Sequence, residues 1–251
     1  GMKRDYWYDS IRAPEDLEDP EATGRQAAER TLRRLDARKV STGKFTVMFA
    51  PEIARSVIGH LVGGVSGGAL YRNASFLKDT LGEQLFPEWI DVVERPLLPR
   101  GAGSTAFDGE GVAVSDHALV EAGVLRSYVL SSYSARRLGL ETTGNAGGVH
   151  NLCLEGRLTP AADMLGRLGT GLLVTEVMGQ GVRLVTGDYS RGAAGFWIED
   201  GVIQHPVEEV TIAGNLRDMF ANITAVGDDV DRRGNLQCGS LLLDGMTIAG
   251  S

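Results

Sequence analysis

The sequence predicts an α+β fold, a strand-rich mixed or antiparallel sheet domain with a few flanking helices. Three observations predict it. Helical periodicity is concentrated in two stretches near the start, Pro20 to Arg38 and a run opening at Pro51. From Trp89 onward, β-branched and aromatic runs alternate with turn residues, as strands do. The 34 glycines are spread along the chain, which favours loop-rich β architecture over a helical bundle. No internal repeat, low-complexity tract or linker divides the chain, so one domain is expected across residues 1–251.

Each element follows from local chemistry. Residues 1–19 are acidic and aromatic with little periodicity, and Tyr6, Trp7 and Tyr8 need burial against something. Asp19 suits the cap and Pro20 the first position of a helix to Arg38. Ala28, Leu32 and Leu35 supply its apolar stripe. Lys44 to Ala50 reads as a strand. Pro51 and Glu52 open a second helix, with Ile53, Val57, Leu61 and Val65 on the buried face. Gly59, Gly63, Gly64, Gly67 and Gly68 crowd its second half. An interior glycine costs about 1 kcal/mol relative to alanine, so five need a packing or functional reason, or an early helix end.

Trp89 to Val93 is an expected strand. Val112 to Val120 and Val124 to Ser131 flank Glu121-Ala-Gly123 as a hairpin. Tyr133 to Leu138 is a short helix closed by Gly139. Val149 to Leu154 is a strand, and Thr159 caps a helix from Pro160 to Leu168 that stops at Gly169. Leu172 to Val177 and Phe196 to Ile198 are strands. Asp200-Gly201 turns the latter into Val202 to His205. Asn215 to Ile223 reads as a short helix and Ser240 to Ile248 as a closing hairpin.

Composition narrows function. The net charge is −8 and the pI about 5.1, which argues against a phosphate-backbone binder, so no nucleic-acid partner is expected. Arg30, Arg33, Arg34, Arg38 and Lys39 read as the exposed face and last turn of the first helix, with an electrostatic partner site as the alternative. No apolar run approaches the roughly 20 residues of a membrane span, so no membrane partner is expected. Cys153 and Cys238 are the two cysteines; without a secretion signal, a reduced cytoplasmic state is expected.

Conventional catalytic signatures are missing. There is no His-Glu-x-x-His, no Cys-x-x-Cys and no Gly-x-Ser-x-Gly. His150 and Cys153 lie three apart, which on a strand points them to opposite faces. Gly144-Asn-Ala-Gly-Gly148 is glycine-rich, but nothing places it between a strand and a helix N-terminus. Cys238 reads as a small buried thiol. The dense polar knot is Gly187, Asp188, Tyr189, Ser190 and Arg191, read as a strand-end loop. Its bland alternative is a sheet corner with a satisfied Asp–Arg pair.

Four segments carry a resemblance: Gly171-Leu-Leu-Val-Thr-Glu-Val-Met-Gly-Gln-Gly181, Thr186-Gly-Asp-Tyr-Ser-Arg-Gly-Ala-Ala-Gly195, Glu209-Val-Thr-Ile-Ala-Gly-Asn-Leu216 and Asn235-Leu-Gln-Cys-Gly-Ser240. Together with Tyr133 to Gly139 and Gly144 to Gly148, they closely resemble the PmbA/TldE branch of the TldD/PmbA family, over nearly the whole chain. Family members carry an N-terminal α/β domain that this sequence lacks, so it resembles their C-terminal part.

The resemblance implies one subunit of a cytoplasmic TldD–TldE heterodimeric metalloprotease. Such complexes cleave unstructured peptides, including a microcin precursor and an antitoxin, and the family was named a modulator of DNA gyrase. In TldD-type members, zinc is held by a His-Glu-x-x-x-His helix and a C-terminal cysteine. Aligned on the shared Val-Gly, that motif falls on Gly59-His-Leu-Val-Gly-Gly64. Gly59 and Gly64 then replace both histidines, His60 stands at the glutamate position, and Cys238 alone resembles a retained ligand. A hydrolytic zinc site needs about three protein ligands, an open position and a base. The resemblance therefore implies no catalytic residue and no metal in this chain, with zinc in a TldD-like partner. An unfolded peptide is the expected substrate, gripped near Gly187 to Arg191. Arg191 would pair with a peptide carboxylate and Asp188 would orient it. A homodimer is expected when the chain is alone. Two alternatives stand beside this: a self-sufficient metallopeptidase with a divergent metal site, and a regulatory binding protein acting on gyrase or toxin–antitoxin systems.

Overall fold

A computed structural model describes residues 2–250. The chain starts as an extended strap with a single 3₁₀ turn at Pro14–Asp16, then forms α1 (Pro20–Arg33). Asp19 caps α1 by accepting from Ala22 N at 3.0 Å. β1 (Gly43–Phe49) leads into α2 (Pro51–Val65) and α3 (Gly67–Tyr71), with Ser66 breaking the helix between them. β2 (Ile90–Glu94), β3 (His117–Glu121), β4 (Val124–Leu125), α4 (Ser132–Leu138) and β5 (Leu152–Gly156) follow. Then come β6 (Leu158–Thr159), α5 (Ala161–Leu168), β7 (Gly171–Met178), β8 (Val182–Arg183) and β9 (Asp188–Glu199). The chain closes with β10 (Val202–Asn215), α6 (Leu216–Ala221), β11 (Ile223–Gly227), β12 (Leu236–Gln237) and β13 (Leu241–Ala249).

These strands make two sheets, one of eight strands and one of five. In the larger, β1 pairs parallel with β7 and antiparallel with β13, while β7–β9, β9–β10 and β10–β13 are antiparallel. The pairings β1–β7–β9–β10–β13–β1 therefore return to their start, a closed ring that leaves few strand edges open. β8 adds to β9, and β11 with β6 extends from β13. The smaller sheet runs β12–β5–β2–β3–β4. One apolar core spans both sheets, joining Phe49, Val57, Leu61, Leu172 and Ile212 to Ile90, Val92, Leu119 and Leu152. The fold is thus α+β and strand-rich, with mixed pairing.

Val57, Leu61 and Val65 of α2 are fully buried, each contributing roughly 2 kcal/mol by removal from water. Asp200 and Gly201 turn β9 into β10 with φ of 50° and 74°, left-handed values that Asp and Gly tolerate.

The structure corrects several local expectations. α1 buries none of its residues, and Ala28, Leu32 and Leu35 face solvent, Leu32 at 65% exposure. Arg30 and Arg34 turn inward instead, because Asp5, Glu52 and Glu176 wait on that side as partners. Residues 112–116 stay outside the β3–β4 hairpin. Thr159 lies in β6, and Asp228 caps α5 by accepting from Ala161 N at 2.8 Å. Residues 241–249 form one strand rather than a hairpin, since β13 is paired along both sides by β1, β10 and β11. The polar knot is the start of a 12-residue strand, not a loop.

Candidate functional site

The glycine-rich half of α2 packs where the loop before β2, the β8–β9 turn and the start of β9 converge. A Cβ on Gly63 would stand 2.9 Å from Leu184 Cδ1. One on Gly64 would stand 2.9 Å from Leu77 Cδ1 and 3.2 Å from Phe76. One on Gly59 would meet Leu236 Cδ1 at 3.5 Å, in ordinary contact. Glycine is thus retained at 63 and 64 by close approach, and apolar side chains stand against the three positions.

His60 lies on the same helix and packs edge-on against Tyr189, with ring centroids 5.9 Å apart. His60 Nε2 and Tyr189 Oη are both buried without a hydrogen-bond partner. Burial, then the charge of Arg191, lowers the His60 pKa from its ordinary value. Burial pushes the Tyr189 phenol up to about 12, with Arg191 opposing. The structure therefore brings together His60, Tyr189 and Arg191, which sequence reasoning placed in two separate groups.

Asp188 and Arg191 do not pair. Asp188 accepts from Thr186 Oγ1 at 2.6 Å, and Arg191 Nε reaches Met178 O at 3.4 Å. Successive side chains alternate faces on a strand, so residues three apart diverge. Gly187 lies in the turn before β9. Asp188 to Arg191 pair with β10, and β8 flanks Asp188 and Tyr189 on the other side.

These residues do not fit a zinc ion. Gly59 and Gly64 offer no donor atom, and apolar groups stand against both. Cys238 is 1% exposed, and its Sγ lies 3.1 Å from Gly239 O. Burial, then the nearby Asp229 charge, pushes its thiol up, away from the thiolate that metal ligation needs. Among the described residues, no three His, Cys, Asp or Glu side chains gather so as to hold a metal.

An open strand edge lies nearby. β1 pairs only with residues 171–174 of β7 and then turns into α2. Among the described residues, no strand pairs with 175–178 on that side. That edge forms one wall of a cavity of about 410 Å³, closed by Glu52 and Ile53 of α2, by α1 and by the strap residues Arg4 to Tyr8. Two guanidiniums approach the Trp7 ring, Arg233 at 3.9 Å and Arg30 at 5.0 Å from its centroid. Asp231 accepts two hydrogen bonds from the Arg233 guanidinium, both at 2.9 Å, and one from its backbone N–H at 3.0 Å. Burial raises the Asp231 pKa, but the Arg233 bonds and the charges of Arg233 and Arg55 more than offset it and hold it below the ordinary value.

Sequence reasoning missed this cavity. Its signal was the i, i+4 spacing of Arg30 and Arg34, on the opposite face from Leu32 and Leu35. It also missed Glu94, fully buried, whose carboxylate accepts from His150 N, from Asn145 Nδ2 at 2.9 Å and, at 2.6 Å, from His150 Nδ1. The in–out alternation of Ile90-Asp-Val-Val-Glu94 carries that signal.

A family model described as the PmbA/TldA metallopeptidase C-terminal domain matches residues 42–250. The chain is 53% identical over 249 residues to the Metalloprotease PmbA of Escherichia coli O157:H7, covering 99% of this chain and 55% of that protein. It superposes on a Bacteroides thetaiotaomicron crystal structure provisionally named a modulator of DNA gyrase. There the TM-score is 0.92 at 30% identity, over 98% of this chain and 55% of that one. TldE from Thermococcus kodakarensis shares the fold, with a TM-score of 0.84 at 23% identity over 96% of this chain and 58% of that one. The chain spans about half the length of the curated relatives it matches. No helix among the described residues is long and apolar enough to cross a membrane.

Proposed function

The chain belongs to the PmbA/TldD metallopeptidase family, and from that premise we propose that it is a non-catalytic accessory subunit of a cytoplasmic TldD/TldE-type peptidase. Zinc and hydrolysis belong to a TldD-like partner in this reading. This chain helps to hold an unfolded peptide, as an added strand gripped by main-chain hydrogen bonds without regard to most of its sequence. A homodimer is its form when the partner is missing.

The observation that carries the proposal is the apolar lining of the positions aligned with the zinc ligands. Leu77 and Phe76 stand against Gly64 and Leu236 stands against Gly59, so the metal's place is not a vacant socket awaiting an ion. The open edge of β7, ending where Arg191 reaches Met178, supports the holding role. Gly187 to Ser190 do not line the groove, and Arg191 comes near it only through its contact with the Met178 carbonyl.

Co-expression with a zinc-bearing TldD-like chain tests this. A stable complex is expected, with zinc accounted for by the partner. Stoichiometric zinc in this chain alone, removed by Cys238→Ala, would establish the self-sufficient metallopeptidase instead. Stable binding to gyrase with no binding to the TldD-like chain would establish the regulatory reading.

A further inference from the structure

The cavity beneath the strap has a charge opposite to that of the whole chain. Five arginines and three carboxylates line it, in a chain of net charge −8. Even with Asp231, which Arg55 and Arg233 share, positive charge remains in excess. Arg30 is ion-paired to Asp5 and Glu52, and its buried Nε forms no hydrogen bond, with Asp5 Oδ1 3.4 Å away. Arg4 is exposed and, among the described residues, pairs with no carboxylate.

The cavity also borders strand edge. Thr175, Glu176 and Val177 face it from the part of β7 that β1 leaves uncovered. No backbone hydrogen bond joins the strap to that edge among the described residues. Side chains pin the strap instead, through Asp5 on Arg30 and Arg34, the Trp7 stack, and Arg55 bonded to Tyr8 Oη at 2.6 Å. The main-chain groups of β7 therefore remain available to something passing beneath.

We infer that this cavity is an anionic-peptide site. An extended segment bearing a carboxylate, on a side chain or at its C-terminus, pairs its backbone with residues 175–178 and seats the carboxylate against Arg4. Guanidinium donors suit a carboxylate because two N–H groups can meet two oxygens. The inference deepens the peptide-holding reading and rests on it for the substrate class. Its test needs no partner.

Titration calorimetry on the chain alone compares an unstructured acidic peptide with its Gln/Asn counterpart of the same length. The acidic peptide is expected to bind about tenfold tighter, the worth of one charge-assisted hydrogen bond. Arg4→Glu, a substitution at an exposed position, is expected to abolish that preference. Hydrogen exchange is expected to slow at residues 175–178 in the bound chain. Equal affinity for the two peptides, or slowed exchange confined elsewhere, overturns the inference. If the acidic preference holds while no zinc-bearing partner is ever engaged, the subunit reading fails and the site stands. If a productive complex forms without the acidic preference, the site fails and the subunit reading stands.

Discussion

Gly64 and Leu77 lie so close that a methyl group on the glycine would stand 2.9 Å from Leu77 Cδ1. Ser75 draws the two segments together by donating to the Gly64 carbonyl. Leu77 is fully buried and has little room to yield. Gly64→Ala gains about 1 kcal/mol of helix propensity but incurs overpacking of roughly 1–3 kcal/mol, so it is expected to be neutral to destabilising. At Gly59 the same change meets Leu236 at 3.5 Å, and propensity is expected to win by up to about 1 kcal/mol. Urea unfolding of the two variants is expected to show Gly59→Ala stabilised and Gly64→Ala not.

His60 makes stability depend on pH. Burial first, and then Arg191, lowers its folded-state pKa. The unfolded chain takes up this proton below about pH 6.5, where the folded chain still resists it. The contribution is complete above that pH and declines as pH falls toward the folded value. Wild type and His60→Gln are expected to diverge in unfolding free energy below about pH 6.5, with the variant the flatter. Parallel curves would show that this imidazole does not titrate differently on folding.

Asp231 holds the strap through Arg233. Its carboxyl is depressed, so the contribution is present above the ordinary carboxylate pKa of about 3.9 and is lost as pH falls through the lower folded value. Asp231→Asn leaves the partly buried Arg233 charge short of its partner, at a cost on the order of 3 kcal/mol. The Trp7 indole resonance is expected to broaden in that variant at neutral pH. In wild type it is expected to do so only in acid, below the ordinary carboxylate range.

Glu94 ties β2 to the loop before β5. Removing it strands the His150 backbone N–H and the His150 ring and leaves the Asn145 amide only the Gly148 carbonyl, so Glu94→Ala is expected to cost about 3–5 kcal/mol. Glu94→Gln keeps one acceptor and is expected to cost less, about 1–3 kcal/mol. Thermal unfolding of both variants gives the order.

Much of the architecture was legible because local signals and tertiary packing agree. Asp200-Gly201, the Asp19 cap and the buried face of α2 each follow from one turn type, one side-chain acceptor or one period. α1 was misread because its outward face is the apolar one. Its orientation is set by distant carboxylates, Asp5, Glu52 and Glu176, and no helical periodicity records them. The final hairpin was misread because residues 241–249 continue as one strand through a bulge at Gly245, held by neighbours on both sides. The pairing of His60 with Tyr189 joins residues far apart in sequence, and only the closed ring of strands brings them together.

In the proposed complex this chain holds peptide for a zinc-bearing partner and does not cut. The rate at which a TldD-like subunit cleaves an unfolded peptide, measured with and without this chain, tests it most directly. No cleavage by this chain alone and a faster rate when both are present are expected. A rate unchanged by this chain in a complex that has formed, or cleavage by this chain alone, would contradict it.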